Sequence, residues 1–443
     1  MQVTRLPCDP GPAGWNRLLP GAAPPVPLEG RITADWLVIG AGFAGLAAAH
    51  RLSKKAPGDR IVVLAAVRVG DGPAGRNSGF MIDLPHDLTS DDYGGALDAD
   101  LAQTRDNRRG ISHAAEMAQE YGLSDEAFAI SGKINGAATV KGGAHNTSFA
   151  KHLTAMNEPY EVFNAAQMRD ITGTAYYRSG LFTPGCAMIQ PALYVRGLAE
   201  GLRSNRVTIH EMSAVTSLSR EGDWVARTPK GQVTAPRVIL AVNGHLNSFG
   251  FLPRRLMHVF TYASMTRALR PEEVALLGGQ ASWGITPADP MGTTVRRISG
   301  TGGDRIIIRN RFTYDPSLEV PDSRIDRVAR DHDRAFAARF PMLADVSVEY
   351  RWGGRLCLSR NNVQVIAELD DGLFSACCQN GLGTAKGTLA GGLAAELAMG
   401  ETSPALERAL AANLPNRLPP EPLARVGANL FLKLQERRAG REL

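Results

Sequence analysis

Three glycines at a fixed spacing, Gly40, Gly42 and Gly45, follow the apolar run Trp36, Leu37, Val38 and Ile39 and open an alanine-rich stretch. A strand that feeds a tight turn and then a helix leaves unpaired N–H groups at the helix start, and such groups bind a diphosphate. Gly40 permits the turn, Gly42 lets the backbone approach the pyrophosphate, and Gly45 lets the helix pack against the strand. Phe43 and Ala44 stand at the helix start. A glycine-rich loop in an unrelated α/β protein is the alternative, and the flanking strand and helix favour the dinucleotide cradle. The second chemical signal is cationic. Arg309 and Arg311 stand two residues apart in a run predicted as a strand, which puts them on one face. A guanidinium holds a carboxylate through two parallel hydrogen bonds, so the pair is a candidate substrate clamp. Arg296 and Arg297 precede them on a predicted hairpin partner, and Arg355 follows Trp352, Gly353 and Gly354. Decoration of a half-solvated sheet is the alternative for each arginine.

The elements that must position these residues follow from periodicity and turn chemistry. A strand over 36–39 leads into a helix to about residue 55, a Pro57-Gly58-Asp59 turn and a second strand over 60–64. Residues 70–79 carry too much glycine for helix or strand and are predicted as a loop. A helical pattern covers 95–125, and strands are predicted within 128–140. A helix ending near 205 precedes strands at 207–210, 215–219 and 224–228. Residues 238–244 read as a buried strand ending at a turn that contains Asn243. A strand over 305–311 carries arginines at its end. Residues 373–383 form a strand entering a second glycine turn, with Gly381 and Gly383, and Thr384 opens an alanine-rich helix to about 399.

Two strand–glycine–helix units so far apart require both ends of the chain to meet in one nucleotide-binding domain. The predicted fold is therefore α/β. A Rossmann-type domain is drawn from 31–110, 185–250 and 350–405, and a second, α+β substrate domain on a mostly antiparallel sheet from 111–184 and 251–349. Residues 1–30, rich in proline and glycine, are expected as an arm laid over the domain. Residues 406–443 are expected as a helical tail, with Leu423, Val426, Leu430 and Leu434 at helical spacing beside Lys433, Arg437, Arg438 and Arg441. That stripe is expected to dock on the protein itself, with association to a membrane surface as the minority reading.

Composition narrows the class. With 44% hydrophobic and 21% charged residues over 443 positions, the chain is an ordinary globular one with room for two or three domains. A net charge of +5 without an aromatic–basic motif gives no reason to expect a nucleic-acid partner and suits anionic ligands. Five cysteines without C-x-x-C spacing fit neither a zinc site nor a disulfide framework, so no metal is expected and the reducing cytoplasm is the expected compartment. Residues 1–8 lack the basic-then-apolar layout of a secretory signal.

The ordered set of motifs resembles the FAD-dependent glycine oxidase/D-amino-acid oxidase superfamily, DadA-like, and looks nearest to its γ-glutamylputrescine-oxidase-like and sarcosine-oxidase-like amine oxidases. The resemblance covers 24–400. It rests on the proline-rich lead-in, the Gly40, Gly42, Gly45 turn and the run Gly75, Arg76, Asn77, Ser78, Gly79. Asn243 after the buried strand, Trp352 to Gly354, and Gly381, Gly383 and Thr384 complete it. It implies FAD, bound without a covalent link, with the 70–79 loop against the flavin and the Arg309 strand reaching it from the substrate domain. It also implies the chemistry: hydride passes from the carbon beside a neutral amine to the flavin, water hydrolyses the imine, and O2 or a quinone takes the electrons. No protein nucleophile is needed, and the helix starting near Thr384 offers its positive end to the flavin.

Three departures stand out. Where the family ends its second strand in a glutamate for the adenosine ribose, Leu64 is followed by Ala65 and Ala66. With Arg68 nearby, a 2′-phosphate and NADP are the alternative cofactor chemistry. The family's Ser-Gly-His-Gly turn is replaced around Gly381, which brings Lys386 near a flavin-proximal position, a solvated lysine being the alternative. The family's Gly-Gly after the central strand is Arg309-Asn310. Cys357 lies close to where sarcosine oxidases attach FAD, but Leu356, Leu358 and Ser359 do not reproduce that pattern, so a buried structural cysteine is expected. His245 and His258 are acid–base candidates or satisfied core histidines.

The expected activity is FAD-dependent oxidation of a small anionic amine or amino acid to an imine, with Arg309, Arg311 and Lys386 as site residues. A carboxylate-bearing secondary amine such as iminodiacetate or an N-substituted glycine is the expected substrate. A polyamine-derived substrate such as γ-glutamylputrescine, and a non-catalytic nucleotide-binding subunit, are the alternatives.

Overall fold

Trp36–Ile39 and Ile61–Leu64 are buried at every residue, as strands covered on both faces must be. They are the centre of a six-stranded sheet in the computed structural model, which describes residues 1–21, 23–85, 90 and 93–443. The sheet order is Val207–His210, Ile61–Leu64, Trp36–Ile39, Arg237–Leu240, Leu373–Cys377, Val365–Asp370, all parallel except the last pair. Chain order therefore reverses between Trp36–Ile39 and Arg237–Leu240, the crevice where open α/β sheets take their ligands. The helices Phe43–Lys55 and Ala385–Ala398 cover one face in a core dominated by alanine and leucine. They pack backbone to backbone: a methyl on Gly391 would lie 2.0 Å from the Ala44 carbonyl oxygen.

The second sheet has eight strands. Its order is Val348–Leu358, Met257–Thr266, Arg305–Tyr314, Thr294–Ile298, Trp283–Pro287, Lys133–Ala137, Ser179–Thr183, Glu161–Asn164. Its pairs are antiparallel except Trp283–Pro287 with Lys133–Ala137. Helix Asp322–Arg339 closes its outer face through Ile325, Val328, Ala335 and Phe336. Residues 350–358, expected with the nucleotide-binding domain, instead extend this sheet by pairing with Met257–Thr266. Among its described residues the arm is extended apart from the turn Gly14–Arg17, and the amides of Val3 and Thr4 bind the carbonyls of Thr216 and Ser248 at 2.9 and 3.0 Å.

Two expectations are corrected by strand register. Arg311 does not share a face with Arg309. A bulge between Thr261 and Tyr262 pairs them with Phe312 and Asn310, leaving Arg311 as the extra residue, at φ +60°. The tail is a helix, Leu423–Ala439, but it docks by its other face. Leu423, Val426, Leu430 and Leu434 are 66, 64, 57 and 46% exposed, while Ala424, Ala428 and Leu432 pack inward. The reason is polar. Strand Thr294–Ile298 stops pairing at Arg309, so the amides beyond it need acceptors: Glu436 takes Phe312 N–H at 2.9 Å and Asn429 takes Tyr314 N–H at 3.0 Å.

Candidate active site

The crevice between the sheets is a cavity of about 270 Å³. Its floor is the glycine turn. Gly40 at φ +112° turns the chain, and the helix begins at Phe43 with no side chain capping its N–H groups. A methyl on Gly42 would make only ordinary contact, with Ala74 Cβ at 3.4 Å, so the position is uncrowded beside the uncapped N–H groups, the shape a pyrophosphate requires. Gly40, Gly42, Phe43 and Ala44 line the cavity. Gly45 lies one layer below, where a methyl would stand 1.7 Å from the Gly40 carbonyl oxygen.

The 70–79 loop forms one wall. Arg76, Asn77 and Ser78 line the cavity, whereas Gly75 and Gly79 do not and are needed for close packing instead. Arg76 faces the cavity but its guanidinium is a staple: it donates to the carbonyls of Asp71, Pro10, Gly353 and Gly11 at 2.7 to 3.1 Å. Asn77 braces the loop through Ala74 O at 2.7 Å and Gly79 N–H at 2.8 Å. Asn243, at φ +48°, accepts from the amides of Cys378 and Gln379 at 3.0 and 3.4 Å and so ties two parallel strand ends together at the cavity edge. Gly354, Gly381, Gly383 and Thr384 complete the wall, with Thr384 Oγ1 donating to Phe80 O at 2.7 Å.

The substrate sheet supplies the roof through Thr261, Ala263 and Arg309. The Arg309 guanidinium lies over the Phe312 ring at 5.1 Å and makes neither hydrogen bond nor ion pair among the described residues. Burial pulls its pKa down to about 10, so it remains a cation near neutral pH. Arg311 lies outside the lining, paired with Asp331 at 2.9 Å and Glu436 at 3.0 Å. Lys386 is buried on the first turn of its helix, also outside the lining, so neither the catalytic nor the solvated expectation describes its position. Arg355 does line the cavity, yet it forms a two-pronged pair with buried Asp9 at 2.9 and 3.0 Å and touches His245 Nε2. Arg296 donates to the carbonyls of Ser78 and Ile189 at 3.1 and 2.7 Å.

The candidate acid–base groups are held neutral. Burial, then Arg355 and His258, push the His245 pKa to about 3, and burial with Arg355 pushes that of His258 to about 4. Cys357 is buried at the cavity wall, its pKa raised by a hydrogen bond with Cys378 and by burial. Sequence reading missed the arm's part: Val3, Arg5, Leu6 and Pro7 line the cavity, and the charges of Arg5 and Asp9 within a proline-rich arm were the available signal. Ala65 and Ala66 also line it. No aspartate or glutamate stands in the lining among the described residues, while Arg5, Arg68, Arg76, Arg309 and Arg355 do. A cradle open at Gly42, uncapped N–H groups and a cationic lining fit a dinucleotide diphosphate.

A Rossmann sheet with its glycine turn at the switch point, roofed by a second antiparallel sheet, defines a two-domain nucleotide-dependent oxidoreductase. The pattern of the DAO family, FAD dependent oxidoreductase, matches residues 35–397, and the chain belongs to that family. Probable oxidoreductase OrdL of Rhizobium meliloti is 25% identical over 411 residues, 90% of each chain. Gamma-glutamylputrescine oxidoreductase of Escherichia coli is 27% identical over 392 residues, 84% of this chain and 85% of that one. Glycine oxidase from Geobacillus kaustophilus superposes with a TM-score of 0.67 at 17% identity, covering 84% of this chain and 96% of that one. Iminodiacetate oxidase from a Chelativorans species gives 0.65 at 17%, covering 83% and 96%. The protein is an FAD-dependent oxidoreductase.

Proposed function

We propose that the protein oxidises a small carboxylate-bearing amine, a secondary amine such as iminodiacetate or an N-substituted glycine, with O2 or a quinone as electron acceptor. The observation that carries this reading is Arg309, a half-buried cation at the cavity roof with no anion paired to it among the described residues. A guanidinium held partly out of water without a counter-ion is costly, and a substrate carboxylate supplies the missing partner. FAD, when bound, takes two electrons from the carbon beside the amine. Gly40, Gly42 and the Phe43 helix start would hold its diphosphate, and the 70–79 loop with Gly354 and Gly381 to Thr384 would flank its ring. The link is non-covalent in this reading, because the Cys357 thiol is kept protonated beside Cys378.

The lining offers no base for the amine proton among the described residues, since His245 is tied to Arg355. The amine is therefore bound in its neutral form, positioned by Arg309 through its carboxylate. In the same reading the nucleotide-binding domain comprises 31–110, 185–250 and 365–405, and the substrate domain 111–184 and 251–358. A γ-glutamylputrescine-type substrate is the second reading, favoured by the Escherichia coli relative. The exposed tail stripe beside Lys433 and Arg437 supports a peripheral membrane contact, which sedimentation with anionic vesicles tests; a protein left in the supernatant rejects it. No helix among the described residues is long and apolar enough to cross a membrane. Anaerobic mixing of the yellow protein with an amine panel tests the main reading. Bleaching by carboxylate-bearing amines is expected, and bleaching only by amines without a carboxylate rejects it.

A further inference from the structure

A second cation, this one fully buried, shares the sheet face of Arg309. Arg309 pairs in register with Thr294, and Thr286 with Asn135, so the flavin-side face runs from Arg305–Tyr314 across to Lys133–Ala137. Lys133, two residues from Asn135, is 3% exposed and donates its Nζ to Asn135 Oδ1 and, at 3.2 Å, to Thr286 Oγ1. Thr286 also donates to Asn135 Oδ1, at 2.6 Å. Both partners are neutral. Lys133 makes no ion pair among the described residues: Asp83, the carboxylate whose charge acts on it, is committed to Arg108 at 2.9 Å. The cross-strand neighbour Thr183 leaves its Oγ1 buried without a partner. Burial lowers the lysine pKa only to about 8, so the cation persists at neutral pH.

This lysine borders a second cavity of about 460 Å³, which it shares with Gln190, Trp283, Met188 and Arg296. Two acids stand on that cavity's wall: Asp125 is exposed to solvent, and Glu126 is already bound to Thr301 N and Oγ1 at 3.0 and 2.8 Å. The partition from the cofactor cavity is thin. Phe80 lines one side and Met188 the other, and both crowd the space above Gly284, where a methyl would meet them at 2.8 and 2.3 Å. Methionine is unbranched and adapts to occupants.

We propose that the second cavity is a distal substrate subsite in which Lys133, oriented by Asn135 and Thr286, receives a carboxylate remote from the reacting amine. The substrate class is then an elongated amine with an acidic far end. Thr286 stands two strand spacings from the Arg309 strand, about 10 Å, so within the proposed class an N-substituted glycine whose substituent ends in an acid spans both cavities, and iminodiacetate occupies the first alone. The assignment rests on the reading of the first cavity as the amine-oxidation site with Arg309 as its carboxylate clamp.

Unreactive straight-chain dicarboxylates from malonate to pimelate, titrated into the FAD-loaded protein and followed by the flavin absorbance shift, test it. Affinity is expected to rise with chain length. Lys133→Met is expected to cost the longest acids tenfold or more, about what losing a buried charge partner costs, and to leave malonate and FAD content unchanged. Lys133→Arg is expected to recover part of the loss, and Thr286→Val, which keeps the charge and the volume, to give a smaller loss of the same length dependence. A flat length series in the unaltered protein overturns the subsite while leaving the Arg309 clamp standing. Equal weakening of every acid by Lys133→Met also overturns it. No spectral response to any acid, or a response that Arg309→Met leaves unchanged, overturns the clamp and the subsite together.

Discussion

Gly42 and Gly45 belong to one motif yet have opposite physical roles, and single methyl groups separate them. At Gly42 the added Cβ meets Ala74 Cβ at 3.4 Å, ordinary contact, and φ is −94°, which any residue adopts. Gly42→Ala therefore costs the cofactor-free protein at most about 1 kcal/mol, the scale of a weakened helix N-cap. The same methyl projects where the diphosphate must approach the N–H groups, and a hundredfold loss of FAD affinity, about 2.7 kcal/mol, is expected. At Gly45 the Cβ would stand 1.7 Å from Gly40 O and 2.8 Å from Gly40 C. The helix has to retreat by more than an ångström, and overpacking of this kind costs about 1–3 kcal/mol or more. The assay compares thermal unfolding of flavin-stripped proteins with FAD titration by fluorescence quenching. Gly42→Ala should unfold like the parent but rebind FAD weakly, and Gly45→Ala should unfold earlier even without flavin. Parental FAD affinity in Gly42→Ala, or parental stripped-state stability in Gly45→Ala, would show the cradle to be assigned wrongly.

Arg309→Met should raise KM and slow anaerobic flavin reduction at least about thirtyfold, the cost of deleting a desolvated charged partner, whereas Arg311→Met should leave both nearly unchanged and lower the urea midpoint by loosening Asp331 and Glu436. Equal kinetic losses in the two variants would refute the assignment. Asp9→Ala strands the Arg355 charge in the cavity wall and should cost about 3–5 kcal/mol of stability, speeding FAD release as the arm loosens; unchanged FAD off-rates would show the arm to be irrelevant to retention. His113, His245, His258 and His332 have folded pKa values of about 4, 3, 4 and 3, all below the free value, so the unfolded chain binds more protons between about pH 3 and 6.5. Their stabilisation is present above pH 6.5 and is lost as pH falls, by about 2 kcal/mol for each at pH 5. Urea midpoints at pH 7 and pH 5 measure it, and a midpoint independent of pH in this interval contradicts it.

What was legible in the chain was what short range decides. The turn at Gly40, the helix that follows it and the late glycine turn are fixed by residues within a few positions, and each stands where periodicity puts it. Arg309 was legible as a cation on an apolar strand, but the fate of Arg311 was not, because the bulge that turns it away is set by pairing with Thr261 and Tyr262 about fifty residues earlier. Arg355 looked equally free until Asp9, 346 positions away, claimed it. The tail shows the limit most clearly. Its leucine stripe reads as a docking face under the hydrophobic rule, yet a strand edge with unpaired amides has a stronger claim on a neighbour than a stripe of leucines has. Glu436 and Asn429 answer that claim, and the leucines are left facing outward. Lys133 went unread for the same reason. Nothing beside it in sequence marks it as a cation held by neutral groups; the strand that brings Thr286 to it, 153 residues on, is what places it so among the described residues.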